Sequence, residues 1–138
     1  MIGLKVQDIM LGGKKMAEIR YKQFIIVPKK PKMGAGKIAS QVAHATFMVH
    51  SQRHKINSYS LEVVENWKKN GMCVIVLECK DQQQLINLDK YLKQWDIPCH
   101  LYIDEGLYGC EPFTATALAT GVLTEDKFWI FENMKLFK

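Results

Sequence analysis

The sequence predicts an α/β fold in which a mixed, mostly parallel four-stranded sheet lies between helix layers. Three observations lead there. The runs Phe24-Ile25-Ile26-Val27 and Met72 to Leu77 are apolar without interruption, as buried strands are. The segments between the strand candidates carry apolar residues at helical spacing. The resulting order is strand, helix, helix, strand, helix, strand, which calls for parallel strands joined by right-handed crossovers. A fourth strand candidate comes after a loop that holds no helix, so it is expected to turn back antiparallel.

Residues 1–20 read as an N-terminal extension outside the core, because Ile2, Leu4, Val6 and Ile9 fit neither period and Gly12-Gly13 breaks any element there. Residues 21–138 form the domain. Tyr21 to Val27 is the first strand, closed by Pro28. A basic, glycine-containing loop leads into a helix running to about Arg53, and His54 to Tyr59 is a polar connection. Ser60 caps a short helix with Leu61, Val64 and Trp67 on one side, stopping near Gly71. Met72 to Glu78 is the second strand, expected to be covered on both faces. Asp81 caps a third helix with Leu85, Leu88 and Leu92 inward, ended before Pro98. Cys99 to Ile103 is the third strand, and Asp104 to Pro112 a loop. Phe113 to Thr120 alternates and is rich in Thr, a fourth strand broken by Gly121. A last helix runs from Thr124 through Phe131, and Met134 to Phe137 is a closing tail.

A chain of 138 residues with 48% apolar and 24% charged content suits one domain with a real core. No apolar run approaches the ~20 residues of a membrane span, and the first ten residues are too polar for a secretory leader. A cytoplasmic location is the expectation. Cys73, Cys79, Cys99 and Cys110 show no C-x-x-C spacing and read as reduced, buried thiols. His50 and His54 have metal-clip spacing, but Arg53 and Lys55 beside them favour an exposed helix end. The net charge of +5 is uneven. Residues 1–37 hold nine Lys/Arg against two Asp/Glu, and the remainder ten against twelve. A positive end on a near-neutral body points to a polyanion partner, nucleic acid first.

The chemistry concentrates in Lys29 to His50. Gly34-Ala35-Gly36-Lys37 invites a nucleotide-loop reading, which fails: Pro31 stands where that loop needs Gly, and Ile38 where it needs Ser or Thr. Two glycines at a helix start remain, able to hold a phosphate or carboxylate oxygen through backbone N–H groups. Along the helix Lys37, Gln41 and His44 share one face at i, i+4 and i+7. Ile38, Val42, Ala45 and Val49 form a second stripe roughly 100° around by the helical period. That stripe is expected to face the sheet and the polar row an open cleft. Ligands of open α/β sheets bind beyond the carboxyl ends of the parallel strands. The Lys/Gly loop, Asp104, and Thr114 and Thr116 of a returning strand all fall on that rim. Singly each residue has an ordinary structural reading, and their joint placement is what points to function.

The run Lys32-Met-Gly-Ala-Gly-Lys-Ile-Ala-Ser-Gln-Val-Ala-His-Ala resembles the first signature of the type 2 peptidyl-tRNA hydrolases, K-M-G-K-G-K-x-A-A-Q-x-x-H-A. The family's second signature, D-A-G-R-T then P-G-S-x-T-V-L-A-I-G-P, is echoed without a gap by Asp104-Glu-Gly-Leu-Tyr and Pro112-Phe-Thr-Ala-Thr-Ala-Leu-Ala-Thr-Gly-Val. The resemblance covers about Tyr21 to Lys138, including the closing Lys135-Leu136-Phe137. It implies a three-layer α/β/α fold and, in many members, a homodimer. It also implies metal-free, cofactor-free hydrolysis of the ester joining a peptide to the 3′ end of tRNA. Lys37, Asp104 and Thr116 match positions thought to carry activity, and Gln41 and His44 match the polar helix row. The departures fall on the rim. Leu107-Tyr108 replaces Arg-Thr, exchanging a hydroxyl for a phenol and removing a cation, and Phe113 replaces a Gly.

The expected mechanism places the ester carbonyl between Lys37 and the Asp104 loop. Asp104, or His44 through a water, acts as general base. Lys37 and the Thr116 hydroxyl stabilise the oxyanion or position the ribose and terminal phosphate. Gln41 orients the water. Lys29, Lys30 and Lys32 hold the acceptor-stem backbone, with Gly34, Gly36, Tyr108 and Thr114 also lining the substrate. The alternatives are a catalytically impaired relative acting as a tRNA-binding or protein-interaction module, and a small-molecule esterase using the same rim.

Overall fold

The structure, a computed structural model, describes residues 10–11, 14–15, 19–106 and 114–138. A two-residue antiparallel ladder, Met10–Leu11 with Lys14–Lys15, precedes the main body. The chain then runs through β1 (Tyr21–Pro28), α1 (Ala35–Ser51), α2 (Leu61–Lys69), β2 (Val74–Cys79), α3 (Gln82–Gln94), β3 (Cys99–Asp104) and β4 (Thr114–Thr124). Short 3₁₀ segments come after α1, at Arg53–Lys55, and after β4, at Glu125–Phe131.

The sheet order is β2-β1-β4-β3. β1 and β2 pair in parallel, while β4 runs antiparallel to both β1 and β3. Three strands thus point one way and the returning strand lies inside the sheet, between two of them. Alternation on β1 sends Ile25 and Val27 to one face, against Ala45 and Val49 of α1, and Phe24 and Ile26 to the other, against α3 and the 3₁₀ segment Glu125–Phe131. α2 packs on the sheet through Val64 and Trp67, against Val122 of β4 and Tyr21 of β1, and Trp67 also stacks on His50 of α1. The result is the three-layer α/β/α arrangement. Ile19, just ahead of β1, is buried in the α3-side core, so it packs with the body.

The caps form where the sequence puts them. Ser60 accepts from the Val63 N–H at 3.2 Å, and Asp81 from the Gln84 N–H at 2.9 Å.

Several expectations change. The second strand is an edge strand, so only Ile75, Leu77 and Cys79 are buried, while Val74 is 44% exposed. Its open edge is covered by the closing tail: the Glu78 N–H donates to the Lys135 carbonyl at 2.9 Å and the Phe137 N–H to the Val76 carbonyl at 3.0 Å. β4 does not break at Gly121 but runs on to Thr124. The register against β1 shifts there, and Gly121 lies so close to Pro98 that a Cβ would meet its Cγ at 3.0 Å. The bulge is bridged by Thr120, whose Oγ1 accepts from the Phe24 N–H at 3.0 Å. The last helix is the 3₁₀ segment, beginning at Glu125. His50 is not at an exposed helix end. It is half-buried against Trp67, its Nδ1 2.6 Å from the Tyr59 hydroxyl. His54 has left the helix for the 3₁₀ turn. Cys73, Cys79 and Cys99 are buried, whereas Cys110 lies outside the described residues. Among the described residues no helix is long and apolar enough to cross a membrane.

Candidate active site

The loop after β1 delivers the chain to Gly34, which caps α1 with extended backbone and no side-chain hydrogen bond. The first turn of α1 holds no acidic residue and one lysine. α2, by contrast, starts with a serine cap and Glu62, and α3 with Asp81. The positive end of the α1 dipole therefore has no carboxylate of its own helix beside it. A Cβ built on Gly34 or Gly36 meets nothing within 4 Å, so no neighbouring described residue requires either glycine.

Lys37, one turn in, reaches across to the end of β3. Its Nζ lies 3.2 Å from Asp104 Oδ2, with the two side chains 15% and 6% exposed. Asp104 pairs in register with Thr114, the first residue of β4, which is also buried. The next turn brings Gln41, in line with Ala45 and Val49. It corrects the reading of an open polar row: Gln41 is 1% exposed and belongs to the sheet-facing stripe. Its Oε1 accepts a short hydrogen bond from the Thr116 hydroxyl, itself 1% exposed.

That pairing depends on a bulge. The register between β3 and β4 jumps from Tyr102↔Ala117 to Ile103↔Ala115, leaving Thr116 as the extra residue. Thr116 meets Gln41 on α1 while its neighbour Ala117 packs into the same α1-side core. Two consecutive residues thus face one layer, as a bulge permits. The Ala115 N–H donates to Gln82 Oε1 on α3 at 2.6 Å.

One turn further, exposed His44 stacks on Tyr102, ring centres 4.8 Å apart and planes 21° from parallel. Sequence reasoning missed Tyr102. Its signal was available: it lies two residues before Asp104 and so on the same strand face.

Lys37, Gln41 and His44 therefore meet Asp104, Thr116 and Tyr102 in that order. Lys30 and Lys32 are exposed on the loop before α1. Lys29 is exposed but turned to the tail, its Nζ donating to the Lys138 carbonyl at 2.5 Å and lying 4.6 Å over the Phe137 ring. Leu107, Tyr108 and Phe113, where the sequence departs from the family signature, lie outside the described residues. Chemically, the rim offers a carboxylate at hydrogen-bond distance from an ammonium and an accessible imidazole. Below them sits a buried amide–hydroxyl pair, all beside a helix N-terminus.

Known proteins share these segments. Residues 21–137 match the family described as peptidyl-tRNA hydrolase PTH2. A peptidyl-tRNA hydrolase from Methanopyrus kandleri is 36% identical over 107 residues, 78% of this chain and 89% of that protein. One from Methanococcus vannielii is 32% identical over 84% of this chain and 98% of its own length. The mouse protein named peptidyl-tRNA hydrolase 2, mitochondrial is 31% identical over 73% of this chain and 54% of its own.

Proposed function

This chain belongs to the peptidyl-tRNA hydrolase PTH2 family, and from that membership we propose how its rim does the work. The protein hydrolyses the ester bond between peptide and tRNA in peptidyl-tRNA, releasing tRNA and peptide. The observation that carries the site assignment is the Lys37–Asp104 pair, which joins the two signature segments at 3.2 Å.

The terminal phosphate sits at the first turn of α1, against Gly34, Gly36 and the uncapped N–H groups. The ester carbonyl lies beside Lys37. Asp104, fixed by one oxygen to Lys37, takes a proton from the attacking water with the other. The tetrahedral oxyanion forms next to the Lys37 ammonium. Its collapse expels the ribose oxygen, which recovers the proton from Asp104. Gln41 and Thr116 act beneath this as positioning residues: the Thr116 proton is committed to Gln41, which supports a placing role rather than direct contact with the oxyanion. His44 and Tyr102 form the side wall, and Thr114 the floor next to Asp104. Tyr108 completes the substrate contacts in place of the family's Thr. Lys30 and Lys32 hold the acceptor-stem backbone, with Lys29 at their edge. The protein works in the cytoplasm and pairs as a homodimer, which light scattering of the purified protein tests.

The test is release of labelled peptide from purified peptidyl-tRNA. Lys37→Ala and Asp104→Asn are each expected to lose about 10²–10³-fold in kcat, the scale of a lost base or oxyanion donor. His44→Gln should lose far less. Equal rates for wild type and both variants would sink the mechanism, and a His44→Gln loss matching that of Asp104→Asn would move the base to His44.

A further inference from the structure

Beyond the loop lysines, the carboxyl edge of the sheet carries a second group of cations that the proposed site does not use. Two hollows of about 460 Å³ each lie side by side there and share Lys29 as their common wall. One is entered past Lys32 and floored by Pro28, Met33 and Ile38. The other lies beyond the ends of β1 and β2, with Lys80 and Lys135 on its rim. Lys29, Lys32, Lys80 and Lys135 are all exposed.

What sets these lysines apart is their grouping around two adjoining hollows beside the rim, together with the lack of a carboxylate partner there. Lys68, Lys93 and Lys127 each have a carboxylate within 4.0 Å, at 3.2, 3.0 and 3.4 Å. None of the four trough lysines makes an ion pair among the described residues. Among the described residues Glu78 is the one carboxylate side chain lining either hollow, and it makes no ion pair with them. A row of lysines with no side-chain carboxylate paired to them, beside the proposed rim, fits a polyanion laid along the row. Lys29 sits at its crest, steadied by the tail.

We propose that Lys80 and Lys135 extend the substrate-binding surface into a trough that holds the double-stranded stem of tRNA by its phosphates. The stem leaves the ester at Lys37, crosses Lys32 and Lys29, and ends over the β2 edge. Phosphate contacts of this kind position the nucleic acid without reading bases. The trough would also separate a full tRNA from a bare 3′ end, because only the former reaches Lys80 and Lys135. This inference rests on peptidyl-tRNA being the substrate.

The experiment compares wild type with Lys80→Ala/Lys135→Ala, and uses Lys68→Ala/Lys69→Ala on α2 as a charge-matched control. Binding of deacylated tRNA is measured across a salt series. Hydrolysis is measured on peptidyl-tRNA and on a peptidyl ester of a short 3′-terminal oligonucleotide. The trough variant should bind tRNA roughly tenfold more weakly near 0.1 M salt. Its log–log salt slope should be shallower by about one to two, near one unit per lost phosphate contact. Its kcat and its KM for the short ester should stay at wild-type values, and the control should behave as wild type. Unchanged tRNA affinity and slope, or an equal loss in the control, would overturn the trough. Wild-type tRNA binding that responds to the trough variant without hydrolysis of either ester would uphold the trough and bring down the hydrolase reading instead.

Discussion

Thr116 and Gln41 show how a side chain can be needed at a site without touching the substrate. Removing the hydroxyl leaves the Gln41 carbonyl oxygen buried without its donor, at about 1–3 kcal/mol. Thr116→Val is therefore expected to lower thermal stability and kcat together, with KM little changed. Thr116→Ser keeps the donor and should recover most of both, and failure of serine to rescue would show that the methyl group matters instead. The thiols make a second residue-scale case. Burial pushes Cys79 up to about 11 and Cys99 up to about 12, and raises Cys73 as well. All three are protonated at neutral pH and weakly nucleophilic. In a Cys73→Ser, Cys110→Ser background a thiol reagent at pH 8 should react with the folded protein roughly a hundredfold more slowly than with the unfolded chain, since only the thiolate attacks. That Lys37 and Asp104 meet on one rim was legible in the sequence, because the strand order brings the start of α1 and the end of β3 to the same side of the sheet. The burial of Gln41 was not legible, because it depends on a bulge one residue long in a strand far along the chain.

The start of α1 separates stability from activity. Gly36 lies in the helix with open space where a Cβ would go. Gly36→Ala should stabilise the protein by about 0.5–1 kcal/mol, through helix propensity and a stiffer unfolded chain. If the substrate phosphate approaches that backbone, the same change slows hydrolysis, and calorimetry beside a peptide-release assay reads both. Gly121→Ala is the opposite case. Its Cβ would meet Pro98 Cγ at 3.0 Å and Cβ at 3.1 Å, so a loss of about 1–3 kcal/mol is expected. The far end of α1 gives a pH dependence. Burial lowers the His50 imidazole below its usual value, helped by Arg53 and Lys68, and burial with Lys93 lowers His100, opposed by Asp89. Below about pH 6.5 the unfolded chain then binds protons that the folded chain does not. Stability should be full above that pH and fall as pH drops toward the folded values. NMR titration of the two rings checks this, and midpoints at or above 6.5 would refute it. Elements with local signals, such as the Ser60 and Asp81 caps and the apolar β1 run, read correctly from sequence. Gly121 misled because a glycine that permits close approach looks the same in sequence as one that ends a strand.

At the scale of the molecule, the sheet order decides more than the placement of the rim. β4 is flanked by β1 and β3, and its residues Leu118 to Thr124 pair with the stretch from Tyr21 to Ile26. β1 and β2 can pair once both exist, but β3 joins them only through β4. Contacts so distant in sequence form late, because closing the chain between them costs entropy first. A nascent chain halted before Thr114 therefore holds Lys37 and Asp104 on pieces that no sheet ladder yet joins. It lacks Thr116 and the strand that seats α1. Tethered to a ribosome, such a fragment is itself a peptide esterified to tRNA. The enzyme becomes able to cleave that bond only after its own synthesis has passed β4.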